Sequence, residues 1–207
     1  MKLFARFLIS TGLLVGLFAN VGVANAELAP DALVKQTADE VLAIVKNDKD
    51  IQSGNQQKLF ALTEEKILPN FDFDRVCRMV LGKSWKTATP EQQASFQQEF
   101  RSLLLRTYAS ALSKYKDQVI EYKPFRAEAG AQNVSVKTQI LQTGGQPVEV
   151  DYSLVKSASG WKVFDIVIEG VSLVTNYRSQ FSNEIRQNGL DSLNKKLADK
   201  NKNAGAN

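Results

Sequence analysis

NVSVKTQILQTGGQPVEVDYSLVKSASGWKVFDIVIEG, residues 133–170, is the stretch that decides the fold. Val134, Val136 and Ile140 alternate with Ser135, Lys137 and Gln139, and the pattern repeats as Val148, Val150, Tyr152 and Leu154 against Glu149, Asp151 and Ser153. A period of two marks a strand whose two faces meet different surroundings, one apolar and one wet. Thr143-Gly144-Gly145-Gln146 and the segment from Ser157 to Gly160 are short connectors made of turn-forming residues, so consecutive strands are expected to pair as antiparallel hairpins. The spacing predicts about four strands, at 119–126, 133–142, 147–156 and 161–169, the first two joined through Ala129-Gly130-Ala131. In the last, Trp161, Val163 and Val167 are expected on one face and Phe164, Ile166 and Ile168 on the other, which predicts a strand buried on both sides.

Outward from this meander the period becomes helical. Thr89-Pro90-Glu91-Gln92 combines a capping threonine, a first-position proline and a glutamine three residues after the cap, and so opens a long helix. Its stripe of Phe96, Phe100, Leu103, Leu104, Tyr108, Ala111, Leu112 and Tyr115 is expected to form one wide apolar face. Upstream, Val34, Ala38, Val41, Leu42 and Val45 mark a first amphipathic helix after Pro30. Leu59, Phe60, Leu62 and Ile67 mark a second, stopped at Leu68-Pro69-Asn70, and Asp72 caps a third that ends at Gly82. Downstream of Gly170, Leu173, Tyr177, Phe181 and Ile185 recur every four residues until Asn188-Gly189. Leu190, Leu193 and Leu197 continue more weakly, and the polar stretch 200–207 reads as a disordered tail. Helices followed by a strand meander predict an α+β fold, with helices across one face of a curved antiparallel sheet.

Lys2 and Arg6 precede an apolar run that ends in Ala24-Asn25-Ala26, the pattern of a cleaved secretory signal at 1–26. Without those two cations the net charge falls from +4 to about +2, which together with the absence of a Lys/Arg cluster gives no footprint for nucleic acid. The single cysteine, Cys77, excludes an intramolecular disulfide and is expected to be a small buried hydrophobe. There is no histidine, which removes the commonest general base and metal ligand and the Ser-His and Cys-His nucleophile pairs. Asp151, Asp165 and Glu169 are the carboxylates left for acid–base chemistry. Arg178, in Asn176-Tyr177-Arg178, could meet a phosphate or carboxylate with its forked donors, or simply pair with Glu184 or Glu169 at the surface.

Several runs together resemble the MlaC family, the periplasmic phospholipid-binding proteins of the Mla pathway, also known as toluene tolerance or ABC transporter auxiliary proteins. They are Ile67-Leu68-Pro69-Asn70-Phe71-Asp72-Phe73, Leu81-Gly82 with Trp85, the run from Thr89 to Phe100, and Leu104 with Thr107-Tyr108-Ala109. Trp161-Lys162-Val163-Phe164-Asp165-Ile166, Glu169-Gly170-Val171-Ser172-Leu173-Val174 and Asn176-Tyr177-Arg178 complete the likeness in the same order. Asn70, where the family often has histidine, and Cys77 depart from it without touching the expected pocket. The resemblance implies an NTF2-like sheet with a helical subdomain and a deep apolar pocket, within a single lipid-binding domain at 27–199. It also implies a periplasmic monomer without a cofactor, carrying phospholipid as cargo between an outer-membrane lipoprotein and porin complex and an inner-membrane MCE-domain ABC transporter, and so maintaining outer-membrane lipid asymmetry. Docking to those membrane complexes would be transient, and no catalysis is implied.

Hiding a tail of roughly 16 carbons at ~0.8 kcal/mol per methylene is worth more than ~10 kcal/mol, so a carrier must enclose nearly all of it. The expected lining is Val134, Val136, Ile140, Val148, Val150, Tyr152 and Leu154 from the sheet and Phe100, Leu104 and Tyr108 from the long helix, with Arg178 at the headgroup. Two other readings stand beside the carrier: an enzyme of ketosteroid-isomerase type with Asp165 or Asp151 as base, and a periplasmic adaptor without a ligand.

Overall fold

The helical part begins where Pro30, whose missing N–H costs nothing in a first turn, opens α1 (Pro30–Asn47). This computed structural model describes residues 27–115 and 117–203, so the expected export signal at 1–26 lies outside the described residues. Asp48 ends α1 and caps α2 (Lys49–Gln52), accepting from the N–H groups of Asp50 and Ile51, and Asn55 caps α3 (Gln56–Leu62). A π-helical turn (Thr63–Ile67) and a 3₁₀ turn (Leu68–Asn70) carry the chain off α3. Asp72 caps α4 (Phe73–Leu81) and Gly82, at φ 56°, turns it into α5 (Lys83–Thr87). The capping box read from Thr89 and Gln92 is present, with both reciprocal hydrogen bonds, at the start of α6 (Pro90–Ser113).

The sheet has five antiparallel strands in sequential order: β1 (Val119–Tyr122), β2 (Asn133–Leu141), β3 (Val148–Ser157), β4 (Gly160–Ile168) and β5 (Val171–Ser172). The α+β class and the meander are as expected; β1 is four residues shorter than read, and the two-residue β5 carried no alternation to betray it. In β4 the expected facing is corrected. Leu154 pairs with Val163 and Ser153 with Asp165, which leaves Phe164 as the extra residue of a β-bulge. The bulge inverts the alternation beyond it, so Trp161, Val163, Ile166 and Ile168 share one face and Phe164 and Val167 look the other way. Outside β3, the far edge of β4 is occupied by β5 and by Phe71, which bridges to Val163 while the Asp72 N–H donates to the Val163 carbonyl.

After β5, Ser172 and Asp165 satisfy the free N–H groups that begin α7 (Leu173–Asn203): Thr175 donates to Ser172 and Val174 to Asp165. Gly189, at φ 81°, breaks α7 where the sequence suggested an end. The helix resumes and reaches Asn203, so the disordered tail expected from residue 200 does not begin there. Asn201 is buried and donates to the Glu99 carbonyl and carboxylate, 102 residues back, and Asn194 donates to the Gln92 carbonyl.

Three apolar clusters result. The largest joins Val76, Cys77 and Val80 of α4, Phe96, Phe100 and Leu103 of α6 and Tyr177, Phe181, Leu190, Leu193 and Leu197 of α7. A second joins Val41 and Val45 to Ile51, Leu59, Leu62 and Ala109, and a third joins Val34 and Phe71 to the sheet. The wide face read on α6 is therefore divided between two partners: Phe96, Phe100, Leu103, Leu104 and Tyr108 meet α4 and α7, whereas Leu112 and Tyr115, with Ala109 in place of the exposed Ala111, meet the helices that precede α4. Phe100 packs on Phe96, Tyr177 and Phe181 with ring centroids 5.2, 5.1 and 5.6 Å away. Phe100→Ala is expected to lower the unfolding free energy by about 3–5 kcal/mol in urea, and Val119→Ala, at an edge position 59% exposed, by less than about 0.5 kcal/mol. Cys77 is fully buried and its thiol is pushed far above the ordinary range by loss of solvent. It should resist maleimide in native buffer and react once denaturant unfolds the chain; rapid native labelling would show that α4 opens.

Candidate functional site

The most extended apolar surface is one face of the sheet, and strand register orders it into rows. Val134, Leu154 and Val163 form the first and Val136, Tyr152 and Ile166 the second. Tyr122, Thr138, Val150 and Ile168 form the third and Ile120, Ile140 and Val148 the fourth. The first two rows are closed over by Leu33 and Val34 of α1, by Phe71 and by Phe125. In the third, Thr138 and Val150 are 2% and 6% exposed, but Ile168 at its end is only half-buried. Ile120, Ile140 and Val148 are half-buried throughout the fourth. Val134 of the first row and Tyr152 and Ile166 of the second are half-buried as well, so buried and half-buried side chains are mixed along the face, and the fourth row is the one without a buried member.

All seven sheet residues expected at the site, Val134, Val136, Ile140, Val148, Val150, Tyr152 and Leu154, lie on this face. The helical ones do not. Phe100, Leu104 and Tyr108 belong to the cluster between α4, α6 and α7, because α6 packs on those helices and on α3, while α1 covers the sheet. Tyr108 lies there beside Tyr177, whose hydroxyl burial holds well above its usual range. Arg178 is exposed, and its guanidinium lies against Gly82, where an added Cβ would stand 3.2 Å from Nη2.

Three polar side chains stand among the hydrocarbon. Thr138 donates to the Val150 carbonyl at 2.8 Å, and burial holds Tyr152 above its usual range, partly offset by Thr138 beside it. The Tyr122 hydroxyl is buried without a partner. Burial, reinforced by the negative charge of Asp39, pushes Tyr122 up to about 12. Lys35 sits 5.1 Å from the centre of its ring and pairs with Asp39 at 2.5 Å, which places the charged surface of α1 beside Tyr122.

The carboxylates that might have acted as bases have other tasks. Asp165 accepts from Ser172 and from the Val174 N–H at the start of α7. Asp151 lies on the opposite face and faces Lys137 at 3.7 Å, and Glu169 accepts from the Glu149 N–H. Among the described residues no group of three Asp, Glu or Cys side chains could hold a metal, and no helix is long and apolar enough to cross a membrane. Two surface depressions, of ≈ 370 Å³ between α6 and the end of α7 and ≈ 290 Å³ beside α1, are lined mostly by polar side chains such as Glu91 and Asp191 or Glu40 and Lys66. Neither includes a residue of the apolar face.

Sequence reading missed Ile120, Tyr122, Ile166 and Ile168 as members of the face. The alternation of Ile120 and Tyr122 with Glu121 was available as a signal; the bulge that turns Ile166 and Ile168 inward was not.

Comparison with known proteins agrees with this architecture. The family model described as MlaC protein matches residues 35–199. Toluene tolerance protein ttg2D of Pseudomonas putida is 29% identical over 181 residues, which are 87% of this chain and 84% of that protein. The intermembrane phospholipid transport system binding protein MlaC of Haemophilus influenzae is 28% identical over 178 residues, 84% of this chain and 83% of that protein. Among solved structures, a phospholipid-binding protein from Ralstonia solanacearum, in complex with a phospholipid, superposes with a TM-score of 0.82 at 42% identity, covering 86% of this chain and 99% of its own. With a family match spanning most of its length and a fold shared at that identity, this chain belongs to the MlaC family.

Proposed function

We propose that this chain is a periplasmic phospholipid carrier. It would move lipid between an outer-membrane lipoprotein and porin complex and an inner-membrane MCE-domain ABC transporter, docking transiently as a monomer, and so help to keep phospholipid out of the outer leaflet. The observation that carries this reading is the continuous apolar face of the sheet, in a chain 42% identical to a protein solved in complex with a phospholipid. No cofactor is needed, since the lipid is cargo and no bond is made or broken.

In this reading the acyl tail lies along the third and fourth rows, over Ile140, Val148, Val150 and Ile168, with Ile120 at the edge. The rows nearer α1 are in contact with Val34 and Phe71, so a full tail reaches Val134, Val136, Tyr152 and Leu154 by lifting the cover from them. The trade is balanced in kind: contacts between protein side chains are exchanged for contacts with a hydrocarbon guest, both away from water. Phe100, Leu104 and Tyr108 serve the helical core instead. An enzyme of ketosteroid-isomerase type is disfavoured because Asp151 and Asp165 are turned from the face and engaged elsewhere.

Organic extraction of protein purified from the periplasm is expected to yield phospholipid by mass spectrometry. Val150→Trp, which fills the face at its centre, should lower the lipid recovered by roughly 5- to 100-fold, corresponding to ~1–3 kcal/mol of overpacking, while the protein stays folded. Undiminished lipid in that variant would place the cargo elsewhere, and none in the wild type would remove the carrier reading.

A further inference from the structure

Resting on the carrier reading and deepening it, we propose that Tyr122 recognises an acyl ester carbonyl of the cargo, its buried hydroxyl donating to the oxygen at the point where tail meets glycerol. The Tyr122 hydroxyl is shielded from water and has no hydrogen-bond partner. Of the polar side chains beside it, Thr138 donates to the Val150 carbonyl, and the Tyr152 hydroxyl is not among the buried groups left without a partner. A buried donor without an acceptor weakens a fold, and phenylalanine would fill the same space without that cost. A donor kept in that condition suits an acceptor that arrives with a ligand.

Position identifies the acceptor. Tyr122 begins the third row, next to the fourth, whose Ile120, Ile140 and Val148 are all half-buried. Over its ring stands Lys35, paired with Asp39 at the charged surface of α1. From strip to surface the order is hydrocarbon, one neutral donor, then charge, which is the order tail, ester, headgroup in a diacyl lipid. Charge separates the ester from the other oxygens such a lipid offers. A phosphate or a free carboxylate at this hydroxyl would meet the field of Asp39, and the nearest cation, Lys35, is already paired with that carboxylate at 2.5 Å. A neutral carbonyl takes the hydrogen bond without importing a second negative charge.

The test compares one chemical difference in the lipid with one in the protein. Delipidated mature protein and Tyr122→Phe are each titrated with dioleoyl phosphatidylcholine and with the dioleyl ether analogue, which has the same tails and headgroup but no ester carbonyls. The wild type is expected to bind the ester lipid roughly 5- to 10-fold more tightly, the scale of one hydrogen bond. Tyr122→Phe should bind both at the weaker, ether level, and its unfolding midpoint without lipid should match or exceed that of the wild type. Equal affinity of the wild type for ester and ether lipids would overturn the inference and leave the carrier reading standing. So would a preference for ester that persists in Tyr122→Phe, or a lower midpoint with an unchanged preference, which would make the hydroxyl structural. Binding of neither lipid by the wild type would remove both.

Discussion

The fold turns on β4 having to serve two interiors at once. Val163 faces α1 and Phe71 in the cluster on the sheet, and Phe164, its immediate neighbour, packs against the cluster of α4, α6 and α7. In an unbroken strand the next two residues would continue that alternation and put Ile166 and Ile168 on the side of Phe164. The bulge restores them to the side of Val163, so the apolar face stays continuous while one aromatic ring is lent to the opposite core. Arg75 of α4 lies over the same ring at 4.5 Å. The Asp72 N–H, bonded to the Val163 carbonyl, fixes the start of α4 to the same spot, so the helical layer and the sheet are registered through a pair of adjacent residues.

How far such an arrangement can be read without coordinates depends on whether each device leaves a periodic trace. The capping box of α6 and the break at Gly189 are local, and Thr89-Pro90-Glu91-Gln92 and Asn188-Gly189 state them openly. The alternation of β2 and β3 names one face residue by residue. Two things left no such trace. A bulge adds one residue without changing composition, so Trp161-Lys162-Val163-Phe164-Asp165-Ile166 looks the same with or without it. Which helix covers the sheet is a matter of packing direction: α6 is the longer and richer candidate, yet α1, with Val34 towards the sheet and Val41 and Val45 towards α3, lies over the strands. The C-terminal tract was misjudged for a related reason. Lys200, Asn201, Lys202 and Asn203 are polar enough to suggest disorder, and the amide that secures them is itself polar.

Polar groups inside this protein are mostly used as fasteners between distant parts of the chain. Asp165 joins β4 to the start of α7 through Ser172 and Val174, and Lys162 reaches the Pro69 carbonyl. On the apolar face the same economy operates with one difference. Thr138 donates to the Val150 carbonyl within the sheet, whereas the Tyr122 hydroxyl beside α1 has no partner. In the carrier reading proposed above, the few hydroxyls on that face mark where the polar atoms of a hydrocarbon guest would be tolerated.

The fastening of Asn194 to Gln92 and of Asn201 to Glu99 also bears on when the molecule can form. Each tie closes a loop of 102 residues, and Leu190, Leu193 and Leu197, which complete the packing around Phe96, arrive with the same segment. A nascent chain leaving the ribosome therefore holds the aromatic stack of α6 without its last wall until synthesis is almost finished.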